Sequence, residues 1–320
     1  MSRLLLHFDD EQASAARLGA AAGIATHCIS RHRFPDGELK LTLPASLRGR
    51  VVLFRSLDQP NDKLVELLLA AQSARQLGAQ HLTLVAPYLA YMRQDIAFSP
   101  GEVISQRVVG RFLASLFDAV ITVDPHLHRV ATLDEAVPVA QAIVVSAAPL
   151  LADLIATRRP GALLVGPDEE SAQWIAQAAA RHGFDYAVCR KIRHGDRNVE
   201  VALPDVAAQG RAAVLLDDMA STGHTVARAA QALLAAGASS VDVAVTHALF
   251  ADDALPTMHN AGVGEIWSTD CITHPTNAVA MAPALAEAVA RTVSPAVSGR
   301  CGNECGSDAS DSRVLGSINA

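Results

Sequence analysis

The chain has 320 residues, a hydrophobic fraction of 50%, aromatics at 4% and a formal net charge of −7. That length allows two modest domains, with cores built from Ala, Val and Leu rather than rings. The acidic balance, without a basic cluster, argues against nucleic acid as the main partner, and the longest uncharged apolar stretch, 136–152, is broken by Pro138 and Pro149 and is too short to span a membrane.

In chain order, short apolar runs at 4–7, 51–54, 82–85 and 120–123 predict strands, with helical periodicity at 62–77 and 102–117 between them. A Pro-Asp-Gly turn within 33–38 leads into a further strand at 39–43. The pattern resumes with strands at 143–145, 163–165, 186–188, 214–216 and 241–245 and helices near 147–156, 169–181 and 225–236. Strands alternating with helices predict an α/β fold of two tandem, doubly wound domains with mostly parallel sheets. The boundary is expected near 140–147, giving domains at 1–143 and 144–293. The segment 294–320, rich in Ser, Gly, Asp and Asn, is expected to be a disordered tail. The N-terminus lacks an apolar run of signal-peptide length, and the cysteines are scattered at 28, 189, 271, 301 and 305, so a soluble, cytoplasmic protein with free thiols is expected.

Chemistry should gather beyond the carboxyl ends of the strands. The stretch RAAVLLDDMASTGHT, 211–225, reads as a buried strand, then the carboxylates Asp217 and Asp218, then a small-residue loop of Ser221, Thr222, Gly223, His224 and Thr225 that opens a helix. Free N–H groups at a helix start favour an anion such as phosphate. The carboxylates would repel that anion, so their natural partners are hydroxyls, such as the 2- and 3-OH of a ribose.

This stretch resembles the ribose-5-phosphate signature of the phosphoribosyltransferase fold, in the longer form found in the phosphoribosyl pyrophosphate (PRPP) synthetases, or ribose-phosphate diphosphokinases. Other segments resemble that family in the same order. Phe34, Asp36 and Glu38, in Phe34-Pro35-Asp36-Gly37-Glu38, match a segment implied to shape the adenine and ribose site of ATP; alone they are a common turn. Tyr91-Met92-Arg93-Gln94-Asp95 resembles a segment that puts Arg93 and Gln94 at ATP, although Ile96-Ala97-Phe98 then replaces the family's further basic residues. Asp124-Pro125-His126 stands where the family has a His that meets the magnesium of MgATP, and Asp168 resembles its metal-linked Asp, with Glu169-Glu170 departing from the small residues expected next. Lys191 and Arg193, followed by Val199-Glu200-Val201, resemble the mobile catalytic loop that ordinary phosphoribosyltransferases do not need.

The resemblance implies transfer of a diphosphoryl group from MgATP to the 1-hydroxyl of D-ribose 5-phosphate, giving PRPP and AMP. It also implies Mg²⁺ as cofactor and a homo-oligomer with ATP bound across a subunit contact; charge and apolar-run length lead to no nucleic-acid or membrane partner being expected. A non-catalytic regulatory homologue, a transferase that consumes PRPP, and a diphosphokinase for a different sugar are the alternatives.

Overall fold

Runs of Val, Leu, Ile and Ala too short for helices pair as strands, and every pairing within the two large sheets is parallel. A computed structural model of the chain describes residues 3–127, 129–194, 198–202 and 208–292, with the backbone alone at 170, 173, 190–194 and 198–202.

The first half contains β1 (Arg3–His7), α1 (Gln12–Ala22), β2 (Ala25–Cys28), β3 (Ser30–Arg33), β4 (Leu39–Thr42), β5 (Gly49–Phe54), α2 (Pro60–Gln76), β6 (Ala79–Ala86), α3 (Ser105–Leu116), β7 (Ala119–Val123), α4 (Leu133–Ala136) and β8 (Gln141–Val145). The second contains α5 (Ala148–Arg158), β9 (Leu163–Gly166), α6 (Ala172–His182), β10 (Tyr186–Val188), β11 (Arg190–His194), β12 (Asn198–Ala202), β13 (Ala212–Ala220), α7 (His224–Ala235), β14 (Ser240–Ala248), α8 (Ala254–Asn260), β15 (Val263–Thr269), β16 (Asn277–Val279) and α9 (Ala282–Arg291). Their sheets run in the orders β2-β1-β5-β6-β7-β8 and β10-β9-β13-β14-β15-β16. Each half also carries an antiparallel hairpin, β3–β4 or β11–β12, inserted after its second strand. The two halves therefore repeat one topology.

Parallel sheets need cover on both faces, and three apolar clusters provide it. Between the sheets lie α1, α5, α6 and α9, where Leu18, Ile155, Ile175 and Val289 meet Val85 and Ile121 of one sheet and Leu164 and Val214 of the other. On the outer face of the first sheet, α2 and α3 contribute Leu67, Ala71 and Leu113. On that of the second, α7 and α8 contribute Ala230, Leu233 and Met258. The middle cluster is common to both halves, and α9 returns to pack on α1.

The structure adds β2, β3, β15, β16, α4 and α8 to the sequence reading and departs from it at further elements. Alanine-rich α1 and α9 were not predicted, because alanine gives a helix little contrast between its faces. The strand expected to end at Leu216 continues to Ala220, pairing with β14 as far as Ala248. Asp217 and Asp218 are thus strand residues. β8 runs through position 143 and is the last strand of the first sheet.

Candidate active site

In the second sheet the strand order reverses between β9 and β13, and ligands of doubly wound folds bind beyond the carboxyl ends at such a point. Asp168 follows β9; Asp217 and Asp218 lie on β13. All three line a cavity of about 330 Å³ with Arg93, His126, Ser221, Thr222, Gly223, His224 and Thr225. Gly223 ends the loop at φ 72°, a left-handed conformation that L side chains resist. An added Cβ there would also lie 3.1 Å from Met258 Cγ and 3.2 Å from the Ala254 carbonyl. No side chain caps α7 at Gly223, so the first N–H groups of the helix are left for an anion. The loop is pinned from behind by Ala251 N–H, which donates to the Ser221 carbonyl at 2.9 Å.

The carboxylates crowd one another. Burial, then the charges of Asp218 and Asp168, push the Asp217 carboxyl well above the usual carboxylate range. Asp218, 3% exposed, receives His126 Nδ1 at 2.5 Å. Since His126 follows β7 and Asp218 lies on β13, this bond joins the two halves. Arg93, also from the first half, lays Nε 3.1 Å from Met219 Sδ.

The crowded, hard oxygen donors suit a divalent cation. Among the described residues no group of three or more His, Cys, Asp or Glu side chains forms a metal cage by itself. Magnesium is usually held by one or two protein groups together with substrate phosphates and water, and the carboxylates lining this cavity are donors of that kind.

Residues 4–116 match the family model described as the N-terminal domain of ribose phosphate pyrophosphokinase, and residues 137–273 match that of the phosphoribosyl transferase domain. A ribose-phosphate pyrophosphokinase of Methanopyrus kandleri is 38% identical over 259 residues, covering 80% of this chain and 87% of its own. The chain belongs to the ribose-phosphate pyrophosphokinase family. A relative of the same name from Halobacterium salinarum is 32% identical over 281 residues, covering 88% of this chain and 98% of its own. The crystal structure of phosphoribosylpyrophosphate synthetase from Mycobacterium smegmatis shares the fold, with a TM-score of 0.78 at 23% identity, covering 91% of this chain and 99% of that one. The expected architecture of two phosphoribosyltransferase-like domains is the one found.

Not every residue singled out in this pyrophosphokinase-family chain reaches the cavity. Phe34, Asp36 and Glu38 sit exposed on the turn of the β3–β4 hairpin and are absent from the cavity lining. Gln94 turns the other way: its Oε1 accepts from Ser105 N–H at 2.6 Å at the start of α3. Lys191 and Arg193 stand on β11, opposite Val201 and Val199 of β12, and their side chains lie outside the described residues, as does the 294–320 segment.

Sequence reasoning missed Met219, Asp124 and His247. Asp124 follows β7 at φ 33° and is 4% exposed. Burial raises its pKa, against lowering hydrogen bonds from Ala147 N–H, Trp174 and Thr246. His247, 1% exposed, has Nε2 3.0 Å from the Val123 carbonyl and 3.3 Å from that of Asp124. Carbonyls only accept, so Nε2 carries the proton. Burial pushes this imidazole below its ordinary pKa and favours the neutral ring. A lone His in an apolar strand carries no sequence signal for such a role.

Proposed function

We propose that this member of the ribose-phosphate pyrophosphokinase family transfers the diphosphoryl group of MgATP to the 1-hydroxyl of D-ribose 5-phosphate, giving PRPP and AMP. The observation that carries this reading is the convergence, at one strand-order switch point, of an uncapped helix start, an acidic pair and groups from the other half of the chain. The relatives' names favour it over a regulatory homologue or a transferase that consumes PRPP.

In this reading Ser221, Thr222, Gly223, His224 and Thr225 hold the 5-phosphate with backbone N–H groups and hydroxyls. Asp217 and Asp218 accept hydrogen bonds from the 2- and 3-hydroxyls. The sugar's O1 attacks the β-phosphorus in line as the bond from that phosphorus to the α,β-bridging oxygen breaks, and that oxygen leaves with AMP. The proton of the 1-hydroxyl passes to solvent. Arg93 offers a planar fork to ATP phosphate oxygens. Lys191 and Arg193 neutralise charge spreading over the transferred group, the main task a protein has in phosphoryl transfer. Asp168 and His126 would hold magnesium, which would supply positive charge against the polyphosphate.

The exposed hairpin turn supports a homo-oligomer in which Phe34, Asp36 and Glu38 of one copy, and Gln94 through its loop, complete the ATP site of another. A division just after β8, which carries the first sheet through Val145 and so past the expected 143/144 boundary, then separates an ATP side from a ribose-phosphate side. Among the described residues no helix is long and apolar enough to cross a membrane, and we place the protein in the cytoplasm with its substrates.

The direct test is phosphorus NMR of purified protein with Mg²⁺, ATP and ribose 5-phosphate. Stoichiometric AMP with a sugar-linked diphosphate signal is expected; ADP would mean a simple kinase and would overturn the reading.

Asp217→Asn separates function from stability. Its folded-state pKa lies above the unfolded value, so the ligand-free protein loses stability as pH rises through the raised value. Removing the charge should raise the melting temperature at neutral pH by a few degrees. It should also weaken ribose 5-phosphate by ~10-fold or more, the scale for a charged hydrogen-bond partner. Titration showing unchanged sugar affinity would contradict the hydroxyl-binding role.

A further inference from the structure

The His126–Asp218 bond spans two sheets, so its 2.5 Å distance lasts only while the ends of β7 and β13 stay fixed together. The backbone two residues before His126 is where that fixing happens. Asp124 has φ 33°, a region a non-glycine residue occupies at a cost unless its surroundings over-determine it. Its N–H donates to the Val145 carbonyl at 3.0 Å. Its carboxylate accepts from Ala147 N–H at 2.9 Å, at the entry to α5, and from Thr246 Oγ1 at 3.0 Å on β14. His247, the next residue on β14, donates from Nε2 to the carbonyls of Val123 and Asp124. Tyr88 of the first half closes over the imidazole edge-on, at 5.0 Å between centroids.

We infer that Asp124 and His247 form an interdomain latch: two positioning residues that hold the backbone carrying His126 against Asp218, so that the nucleotide side of the site is registered on the sugar side. This rests on the reading of His126 as a contact for MgATP.

Several features point to positioning rather than to general stability. The contacts are polar, buried and concentrated on one residue of unusual conformation. Two of them come from consecutive residues, Thr246 and His247, whose strand also borders β13. The ring Nδ1 has no hydrogen-bond partner among the described residues, an arrangement that general stability does not explain. The groove that grips the sugar phosphate is pinned separately, through Ser221 and Ala251. Loosening the latch should therefore disturb one substrate and spare the other.

The test compares His247→Leu, which fills similar space without a donor, with His247→Gln, whose amide N–H can replace Nε2–H. His126→Ala is measured beside them. For each variant, kcat, the melting temperature, and calorimetric affinities for ribose 5-phosphate and for a non-hydrolysable MgATP analogue are determined. His247→Leu should lower kcat by ~10- to 100-fold, the range for a displacement of about 1 Å at a reacting centre. It should weaken the ATP analogue several-fold and leave ribose 5-phosphate within twofold. His247→Gln should recover most of both losses. Equal weakening of the two ligands, failure of the Gln variant to recover, or no change in His247→Leu would each overturn the latch. If His247→Leu does not fold, Thr246→Val, which removes one bond to Asp124 in the same shape, is judged by the same split. Unaltered kcat and analogue affinity in His126→Ala would defeat the reading of His126 and the latch with it. A defect in His126→Ala without one in the His247 and Thr246 variants would defeat the latch alone.

Discussion

Replacing Lys191 with alanine is expected to lower kcat by at least ~10²-fold, the scale for losing one preorganised charged donor at a developing charge. Lys191 and Arg193 lie two positions apart on β11, in a hairpin that leaves the sheet directly after β10. β10 pairs with β9, the strand that delivers Asp168, so the hairpin departs beside the cavity. Diphosphoryl transfer leaves the protein little covalent work, and most of its contribution comes from alignment and from neutralising phosphoryl oxygens in a water-poor site. A lysine closing on the transferred group acts more strongly on the transition state than on bound substrates. The loss should therefore fall on kcat, with KM for ribose 5-phosphate little altered. Steady-state kinetics with both substrates varied decides the matter. A kcat within threefold of the parent would remove Lys191 from the catalytic set.

Arg55→Met should destabilise the protein by ~3–5 kcal/mol, the range for breaking a buried ion pair from one side. Arg55 is 1% exposed. Its Nη1 donates to Asp10 at 2.8 Å and to Glu11 at 2.9 Å, its Nη2 donates to Glu66 at 2.5 Å, and the guanidinium lies 4.7 Å from the centre of the Phe8 ring. Arg31 shares the load, reaching Glu66 at 2.5 Å and Asp9 at 2.7 Å. Burial disfavours the cation, but its carboxylate partners more than offset this and raise the Arg55 pKa. Methionine fills similar volume and leaves Glu11 and Glu66 buried with less compensation. Chemical denaturation of the parent and Arg55→Met measures the difference, and a change below ~1 kcal/mol would show that the network relaxes. Adding Glu11→Gln should recover part of the loss, because the uncompensated charge causes it. Arg55 follows β5 and its partners Asp10 and Glu11 follow β1, at the point where the first sheet reverses its strand order. In the first sheet this ion-pair network therefore stands at the position equivalent to the Asp168–Asp217 cavity of the second, and Asp10 and Glu11 also line a smaller cavity of about 170 Å³ there.

Two kinds of information separate clearly. The βα rhythm is legible in the sequence alone, since runs such as 51–54 and 163–165 are apolar throughout and so signal strands buried on both faces. The loop proposed to bind phosphate and ribose is legible there too, because a strand, an acidic pair and a Thr/Gly helix start are contiguous and their chemistry is local. Asp168, Arg93 and His126 were legible only through their order along the chain, and the structure brings them to that loop. Tertiary structure alone decided the rest. The reach of β13 to Ala220 depends on its pairing with β14, which local propensity does not encode. The placement of α1 and α9 between the sheets depends on apolar faces contributed by both halves. The bond from His126 to Asp218, and the grip of Thr246 and His247 on Asp124, join residues more than ninety positions apart. No periodicity carries such pairings, because they arise where the carboxyl ends of two separately wound sheets are brought face to face.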